Sequence, residues 1–345
     1  MEQVERKDMV ELTERLWDYD AVLPGQAAKP TVVTITPEHI AEYASIAQNP
    51  DPRYRLGGGS DEYGGVPVPM PTMALTYAPL LRAEIAENNG FTALEQSKTA
   101  RRQTPFAKCE AHWFRPVMAG DVITGVGRVL EKYERRGSRF VTFRVAGIDQ
   151  HGQPAVEYDY TCIFDYAGGR REAPGQRPAS PAEGEKTGAA SPQGVGETGS
   201  RKLLDYGSAV EGTPLAELSI TESQEIINSR SAFRLAGRPN DSNIHTDEEF
   251  ARQNIFGGTV NSGPATMSYV DQMLQLSFPP EAFYNGGSLL MRAITPFRSG
   301  DTVTFAGEVT GRRREEGRGI VECRVRGVNR RGELVCLADA TLGVG

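Results

Sequence analysis

One histidine of this chain stands among side chains that suit proton transfer. His245 lies in the polar stretch Asn240-Asp241-Ser242-Asn243-Ile244-His245-Thr246-Asp247, which is followed by a glycine-rich turn and an apolar segment. An imidazole held by neighbouring amide and carboxylate groups can bind a water molecule and accept its proton. The other histidines, His39, His112 and His151, lack such a setting. The stretch therefore indicates acid-base chemistry centred on His245.

A second chemical feature follows in the glycine-rich turn. Gly263-Pro264 precedes an apolar segment, Ala265 to Leu276, that predicts a helix. Pro264 suits the first helical position, which makes Gly263 the predicted N-cap, with a backbone that a ligand can approach closely. Unpaired N–H groups and the positive end of the helix dipole meet at such a helix start. Gly263 is therefore predicted to stabilise a developing negative charge.

The elements that must position these residues occur twice. Pro116 to Asp121 returns as Pro296 to Asp301, an offset of 180 residues that holds to the end of the chain. Both copies place turn glycines between alternating apolar runs, which is typical of long antiparallel strands joined by hairpins. Upstream, each half has a short helix, a polar loop and an apolar central helix, predicted over 70–89 in the first half. The repeat unit is therefore a whole α+β domain.

Composition divides the chain into two domains and a linker. Residues 167–202 consist of Gly, Pro, Ala, Ser, Thr and charged or amide residues apart from Val195, and they cannot bury enough surface to offset their ordering entropy. We predict a flexible linker there, between an N-terminal domain, 1–166, and a C-terminal domain, 203–345. A further helix is predicted over 4–19.

Charge and hydropathy exclude several classes of protein. The net charge of −7 argues against nucleic-acid binding, which favours a basic surface. The N-terminus lacks the apolar run of a signal peptide, and no stretch approaches the length of a membrane span. Four scattered cysteines without CxxC spacing fit reduced thiols. The expectation is a cytoplasmic protein without nucleic-acid or membrane partners.

The His245 loop resembles the motif Asp-x-Asn-Pro-x-His-x-Asp of the (R)-specific enoyl-CoA hydratases, the MaoC-like dehydratases. Counted back from His245 without gaps, the family's Asp falls on Asn240, its Asn on Ser242 and its Pro on Asn243. A one-residue deletion would instead make Asp241 the family's Asp. The ungapped alignment is preferred because a mitochondrial branch of the superfamily also has Asn before Ile-His-x-Asp. The second polar catalytic residue stays open between Asn240 and Asp241.

The resemblance implies a double hot-dog fold, two repeats each with a central helix wrapped by a long antiparallel sheet. The first half is similar to the fatty-acid-synthase-type dehydratase domain, but it has Ala47 where the motif has Asp and Pro52 where it has His. Neither side chain can transfer a proton. The first half is therefore predicted to be non-catalytic and to supply a wall of the acyl pocket.

The reaction implied by the resemblance is reversible hydration of 2-enoyl thioesters, or dehydration of (R)-3-hydroxyacyl thioesters. His245 would activate water, Asn240 or Asp241 would assist, and Gly263 would inherit the family's oxyanion hole. No metal or redox cofactor is implied; CoA or acyl carrier protein would be the handle of the substrate. Two alternatives are a thioesterase, with Asp271 as its carboxylate, and a silent acyl-CoA-binding subunit of another dehydratase. A homodimer is left open.

Overall fold

The computed structural model of the protein describes residues 14–167, 203–240 and 242–345. The strands of the first half are β1 Leu16–Trp17, β2 Thr31–Thr34, β3 Thr92–Ala93, β4 Phe106–Trp113, β5 Val122–Arg135, β6 Ser138–Ile148 and β7 Pro154–Asp165. Those of the second half are β8 Leu218–Thr221, β9 Ser288–Ala293, β10 Thr302–Glu315, β11 Arg318–Asn329 and β12 Leu334–Val344. The α-helices are α1 Pro37–Ile46, α2 Ala74–Tyr77, α3 Arg82–Asn88, α4 Gln224–Ala232, α5 Glu248–Gln253, α6 Gly263–Gln275 and α7 Glu281–Tyr284.

Within the described ranges, ten strands form one antiparallel sheet in the order β2-β5-β6-β7-β4-β9-β12-β11-β10-β8. The two halves join where β4 pairs with β9, with Ala111 opposite Leu289 and Cys109 opposite Met291. Each half contributes five strands in mirrored order. The halves therefore form an internal pseudo-dimer with a continuous sheet.

Residues that are 180 positions apart lie at equivalent places in the hairpins of the two halves, as the repeat predicts. The β5–β6 turn has positive φ at Arg136 and Gly137, and the β10–β11 turn has it at Glu316 and Gly317. Two successive residues of positive φ define the tight turn that matches the right-handed twist of paired strands. A β-bulge also recurs, between Val129 and Glu131 in β5 and at the equivalent place in β10.

The helix predicted over 70–89 is broken. Its residues form a 3-10 turn, Pro71–Met73, then α2 and α3, with an irregular segment between the two helices. Pro79 lies in that segment; it lacks an N–H and disfavours helical backbone at Ala78, whose ψ is 73°. The continuous central helix expected for the first half is therefore absent from these described residues. The second half has one in α6, of 13 residues.

Two other predictions fall partly on residues outside the described ranges. The linker proposed for 167–202 lies outside them except for Ala167. The helix predicted over 4–19 also lies outside them up to residue 13, and its last residues include strand β1, which pairs with β3. The helix prediction is therefore wrong for Leu16–Trp17.

Helix α6 is buried against both halves. Its Asp271 carboxylate accepts hydrogen bonds from the backbone N–H of Thr72 at 3.0 Å and from the Thr72 hydroxyl at 2.6 Å. Gln275, one turn later, accepts from the hydroxyl of Tyr54 at 2.6 Å. Burial raises the pKa of Asp271 to about 6, although its hydrogen bonds favour the charged form. These polar contacts fix the central helix of the second half against the first half.

Candidate active site

The polar loop that carries His245 is shaped by Asn243. This buried side chain accepts hydrogen bonds at Oδ1 from the N–H groups of His245, at 2.8 Å, and Thr246, at 3.2 Å. Its Nδ2 donates to the carbonyl of Asn240 at 3.0 Å. Asp247 then caps α5 by accepting from Phe250 N–H at 3.0 Å. Asn243, where the family motif has proline, therefore fixes the loop through an amide side chain.

The imidazole of His245 has a defined tautomer. Its Nδ1 lies 2.8 Å from the carbonyl oxygen of Val260. A carbonyl oxygen can only accept, so Nδ1 must carry a proton and Nε2 of the neutral ring keeps its lone pair. Burial lowers the pKa of His245, and the hydrogen bond to Val260 only partly opposes this shift. His245 is therefore neutral near pH 7 and able to accept a proton at Nε2.

The helix start near His245 differs by one residue from the prediction. Ser262 is the N-cap, since its hydroxyl accepts from Ala265 N–H at 3.2 Å, and Gly263 is the first helical residue. The serine side chain can satisfy a helix N–H and glycine cannot, which explains the shift. No described residue accepts a hydrogen bond from the Gly263 N–H, as is usual in a first helical turn.

Gly263 is also packed against the first half. A Cβ atom at this position would overlap the ring of Phe106, at the start of β4. A glycine is therefore required by packing as well as by access to the backbone. Sequence reasoning did not identify Phe106, because only the pairing of the two halves brings it to α6.

Two cavities meet at His245. The first, of about 440 Å³, is mainly apolar and is also lined by Gly263, Phe106 and Phe297. The second, of about 290 Å³, is more polar and is lined by Arg230 and other residues of both halves. Five residues line both cavities: Arg82, Gln103, Tyr160, His245 and Ser262. We call this set the junction.

Of the other candidate catalytic residues in the part of the chain that the structure describes, only Asn240 lines one of the two cavities. Asn240 is exposed and lines only the second cavity, which also reaches His245. Asp241 lies outside the described residues. In the described part of the first half, neither Ala47 nor Pro52 lines either cavity. Asp271, the carboxylate of the thioesterase alternative, likewise lines neither and is held by Thr72.

Three junction residues were missed from the sequence: Arg82, Gln103 and Tyr160, all from the first half. Arg82 is held by Glu95 at 3.1 Å and by the carbonyl of Thr104 at 2.9 Å. Its placement depends on the break before α3, and Gln103 precedes β4 in a segment without a motif. The first half therefore supplies polar groups as well as apolar wall to the site.

A buried carboxylate is hydrogen-bonded to the residue that precedes the N-cap of α6. Glu222 accepts hydrogen bonds from Asn261 Nδ2 at 2.6 Å and from the Tyr269 hydroxyl at 2.9 Å. Asn261 in turn accepts from Ser262 N–H at 2.8 Å. Burial raises the pKa of Glu222 to about 7. Glu222 follows β8 as a single acidic residue outside any motif, so it could not be predicted from the sequence.

Comparisons with known proteins agree with this architecture. Residues 210–328 match the family model described as MaoC like domain, and residues 22–158 match the model described as FAS1-like, dehydratase domain region. Comparison with the curated proteins gave no match.

Several solved structures share the fold at low identity. A protein described as a MaoC-like dehydratase is 18% identical, with a TM-score of 0.64 and coverage of 93% of this chain and 98% of that one. A MaoC domain protein dehydratase from Chloroflexus aurantiacus is 13% identical, with a TM-score of 0.63 and coverage of 95% and 97%. A conserved hypothetical protein from Mycobacterium tuberculosis, described as a double hotdog fold, is 15% identical, with a TM-score of 0.56 and coverage of 95% and 97%.

The fold and the family matches define a double hot-dog protein of the α+β class, as predicted. The resemblance inferred from the His245 loop is confirmed, because the second half matches the MaoC-like domain model and the first half matches the model of a FAS1-like dehydratase region. Among the described residues, no helix is long and apolar enough to cross a membrane.

Proposed function

We propose that this chain catalyses the reversible addition of water to 2-enoyl thioesters and the reverse dehydration of (R)-3-hydroxyacyl thioesters. The observation that carries the proposal is the Nδ1 hydrogen bond of His245 to Val260, which leaves the Nε2 lone pair for the junction. Gly263, whose N–H has no acceptor among the residues that the structure describes, lines the same cavity. A base and an anion-stabilising donor thus face one space, as acid-base chemistry beside a carbonyl requires.

In this mechanism the thioester carbonyl oxygen accepts a hydrogen bond from Gly263 N–H. His245 Nε2 takes a proton from water as the water oxygen bonds to C3, and the π electrons of the double bond move towards the carbonyl oxygen. The proton held by His245 is then returned at C2, which restores the neutral imidazole. Water is added without a redox change, and no cofactor enters the scheme. CoA or acyl carrier protein is the proposed handle of the thioester.

The proposal also includes the second polar residue of the motif, which is either Asn240 or Asp241. Asn240 can orient the water from the second cavity but cannot act as a base, because its amide does not titrate. Asp241 could share the proton transfer. The two residues are distinguished by single alanine substitutions at each position.

The test is loss of the conjugated-thioester absorbance with a panel of 2-enoyl-CoAs of different chain length. We expect activity with at least one member and its loss in His245→Ala. His151→Ala, in the exposed β6–β7 turn, is the matched control and should retain activity. An inactive wild type that still binds acyl-CoA would favour the silent-subunit alternative. Release of free thiol, detected in the same assays, would favour the thioesterase.

A further inference from the structure

The first half reaches the His245 loop through a short strap, which we define as residues 101–104, just before β4. Arg101 Nη2 donates to the carbonyl of Ser242 at 2.8 Å, and the Arg101 guanidinium lies 3.9 Å from the centre of the Phe250 ring. The backbone N–H of Gln103 donates to Asn254 Oδ1 at 3.0 Å. The strap is thus attached to the His245 loop at Ser242, and to α5, the helix that follows the loop, at Phe250 and at the C-cap residue Asn254.

Gln103 has a side-chain oxygen without a partner. Its Oε1 is buried and accepts no hydrogen bond from the described residues. A buried amide oxygen left unpaired is unfavourable, and such groups in native proteins are usually satisfied by water or ligand. Gln103 lines both cavities together with His245, so a group that satisfies Oε1 would occupy the junction.

The remaining junction residues are less suited to accept a hydrogen bond there. Arg82 has donors only and is engaged by Glu95. The Ser262 hydroxyl accepts from Ala265 N–H as the N-cap. Tyr160 packs its ring edge-on against Phe106, and burial raises the pKa of its hydroxyl, which stays neutral. Gln103 therefore offers the acceptor that complements His245 Nε2.

We propose that Gln103 is a further catalytic residue, whose side-chain oxygen holds the attacking water in hydration and the departing hydroxyl in dehydration. This inference rests on the proposed function. One hydrogen of the water is donated to His245 Nε2 and transferred; the other is donated to Gln103 Oε1 and stays on the oxygen that bonds to C3. Gln103 takes no proton. It supplies a contact to the water in addition to that of the second polar residue of the motif, which is either the exposed Asn240 or Asp241.

The proposal makes the first half part of the reaction centre. The strap reaches the junction only when the first half is paired with the second through β4 and β9. The chemistry of this site then needs residues from both repeats, although the histidine and the oxyanion donor come from one.

The experiment measures kcat and KM for hydration of the best 2-enoyl-CoA in Gln103→Leu, Gln103→Glu and a control, Gln153→Leu. Gln153 is exposed in the β6–β7 turn and lines neither cavity. We expect Gln103→Leu to lower kcat about 10- to 100-fold with KM changed less than about threefold, because a positioning contact to the water is lost. Gln153→Leu should change neither parameter more than about threefold.

Gln103→Glu keeps the size and the acceptor of the side chain. It should recover most of the activity when its carboxylate is ionised and add an acidic limb to the pH profile of kcat, which a purely structural role would not produce. This variant also serves if Gln103→Leu does not fold, as judged by thermal unfolding. A kcat for Gln103→Leu within about threefold of wild type, or a Glu variant without the extra limb, would overturn the assignment.

Different results would contradict the Gln103 assignment and the hydratase function. If wild type hydrates an enoyl-CoA and His245→Ala is inactive while Gln103→Leu is unchanged, the Gln103 assignment is wrong and the hydratase function stands. If wild type is inactive on the whole panel, the proposed function is wrong and the Gln103 assignment falls with it.

Discussion

The ring of Phe106, from the first half, lies against Gly263, the first residue of the central helix in the second half. No side chain fits between them, so the backbone N–H at the start of α6 is held close to an aromatic wall of the apolar cavity. One residue from each repeat thereby defines the site of the proposed oxyanion.

Replacement of Gly263 by alanine tests this contact. The added methyl group must displace Phe106 or the helix start, and overpacking of this kind usually costs about 1–3 kcal/mol of stability. Loss of one aligned oxyanion donor is expected to lower kcat about 100-fold. Steady-state hydration kinetics and thermal unfolding measure the two effects.

The double variant Gly263→Ala with Phe106→Ala is the matched control, because removal of the ring makes room for the methyl group. If stability in the Gly263→Ala single variant equals that of wild type, the steric argument is wrong.

The pH dependence of hydration follows from His245. Burial lowers its pKa below 6.5, and the neutral form is the base. We therefore expect kcat/KM to fall only at pH values below 6.5 and to stay level from pH 7 to 8, unless another group titrates. A pH profile in the presence of the best enoyl-CoA measures this; an acidic limb centred above pH 6.5 would contradict the environment described for His245.

The raised pKa of Glu222 predicts that the free energy of unfolding depends on pH. Its pKa is raised from 4.5 to about 7, so the folded state keeps the proton over a range in which the unfolded state releases it. Stability is therefore highest below pH 4.5 with respect to this group and falls as the pH rises towards 7, by up to about 3 kcal/mol. Denaturant unfolding at pH 5 and pH 7 measures the difference.

Glu222→Gln is the variant that isolates this effect. The amide cannot ionise but can still accept from Asn261 or Tyr269, so the loss of stability between pH 5 and pH 7 should become smaller than in wild type. A variant with the same pH dependence as wild type would rule out Glu222 as the source.

Variants at Thr72 and Asp271 test whether the Asp271 carboxylate stabilises the contact between the two halves or takes part in thioester hydrolysis. Thr72→Val removes the hydroxyl that donates to Asp271 and leaves part of a buried carboxylate unsatisfied, at a cost of about 1–3 kcal/mol. Hydration kcat should change less than about threefold, because Asp271 lines neither cavity. Chemical unfolding and the absorbance assay report the two quantities. Loss of thiol release in Asp271→Asn, with stability retained, would instead support the thioesterase.

Local sequence was sufficient for several parts of the fold. The hairpin turns at Gly137 and Gly317 could be predicted because each depends on two adjacent residues that adopt positive φ. The N-cap at Asp247 and the helix over α6 likewise depend on contacts within one turn. The identity of His245 as the candidate base followed from its neighbours in the chain.

Local sequence failed where two signals competed. The apolar pattern over 70–89 favoured a single helix, but Pro79 and its effect on the preceding residue break it. At the start of α6, Pro264 favours a helix that begins at Pro264 itself, whereas the Ser262 side chain provides the cap one residue earlier than predicted.

The sequence by itself determined the repeat, because its two copies can be compared position by position. It also determined the strand hairpins and the residue that can act as a base, since these depend on residues near one another in the chain. Only the tertiary structure decided that Phe106 covers Gly263, that Asp271 accepts hydrogen bonds from the first half and that Gln103 lines the same two cavities as His245. These contacts form when β4 pairs with β9, and that pairing depends on a buried surface shared by both halves rather than on any short run of residues.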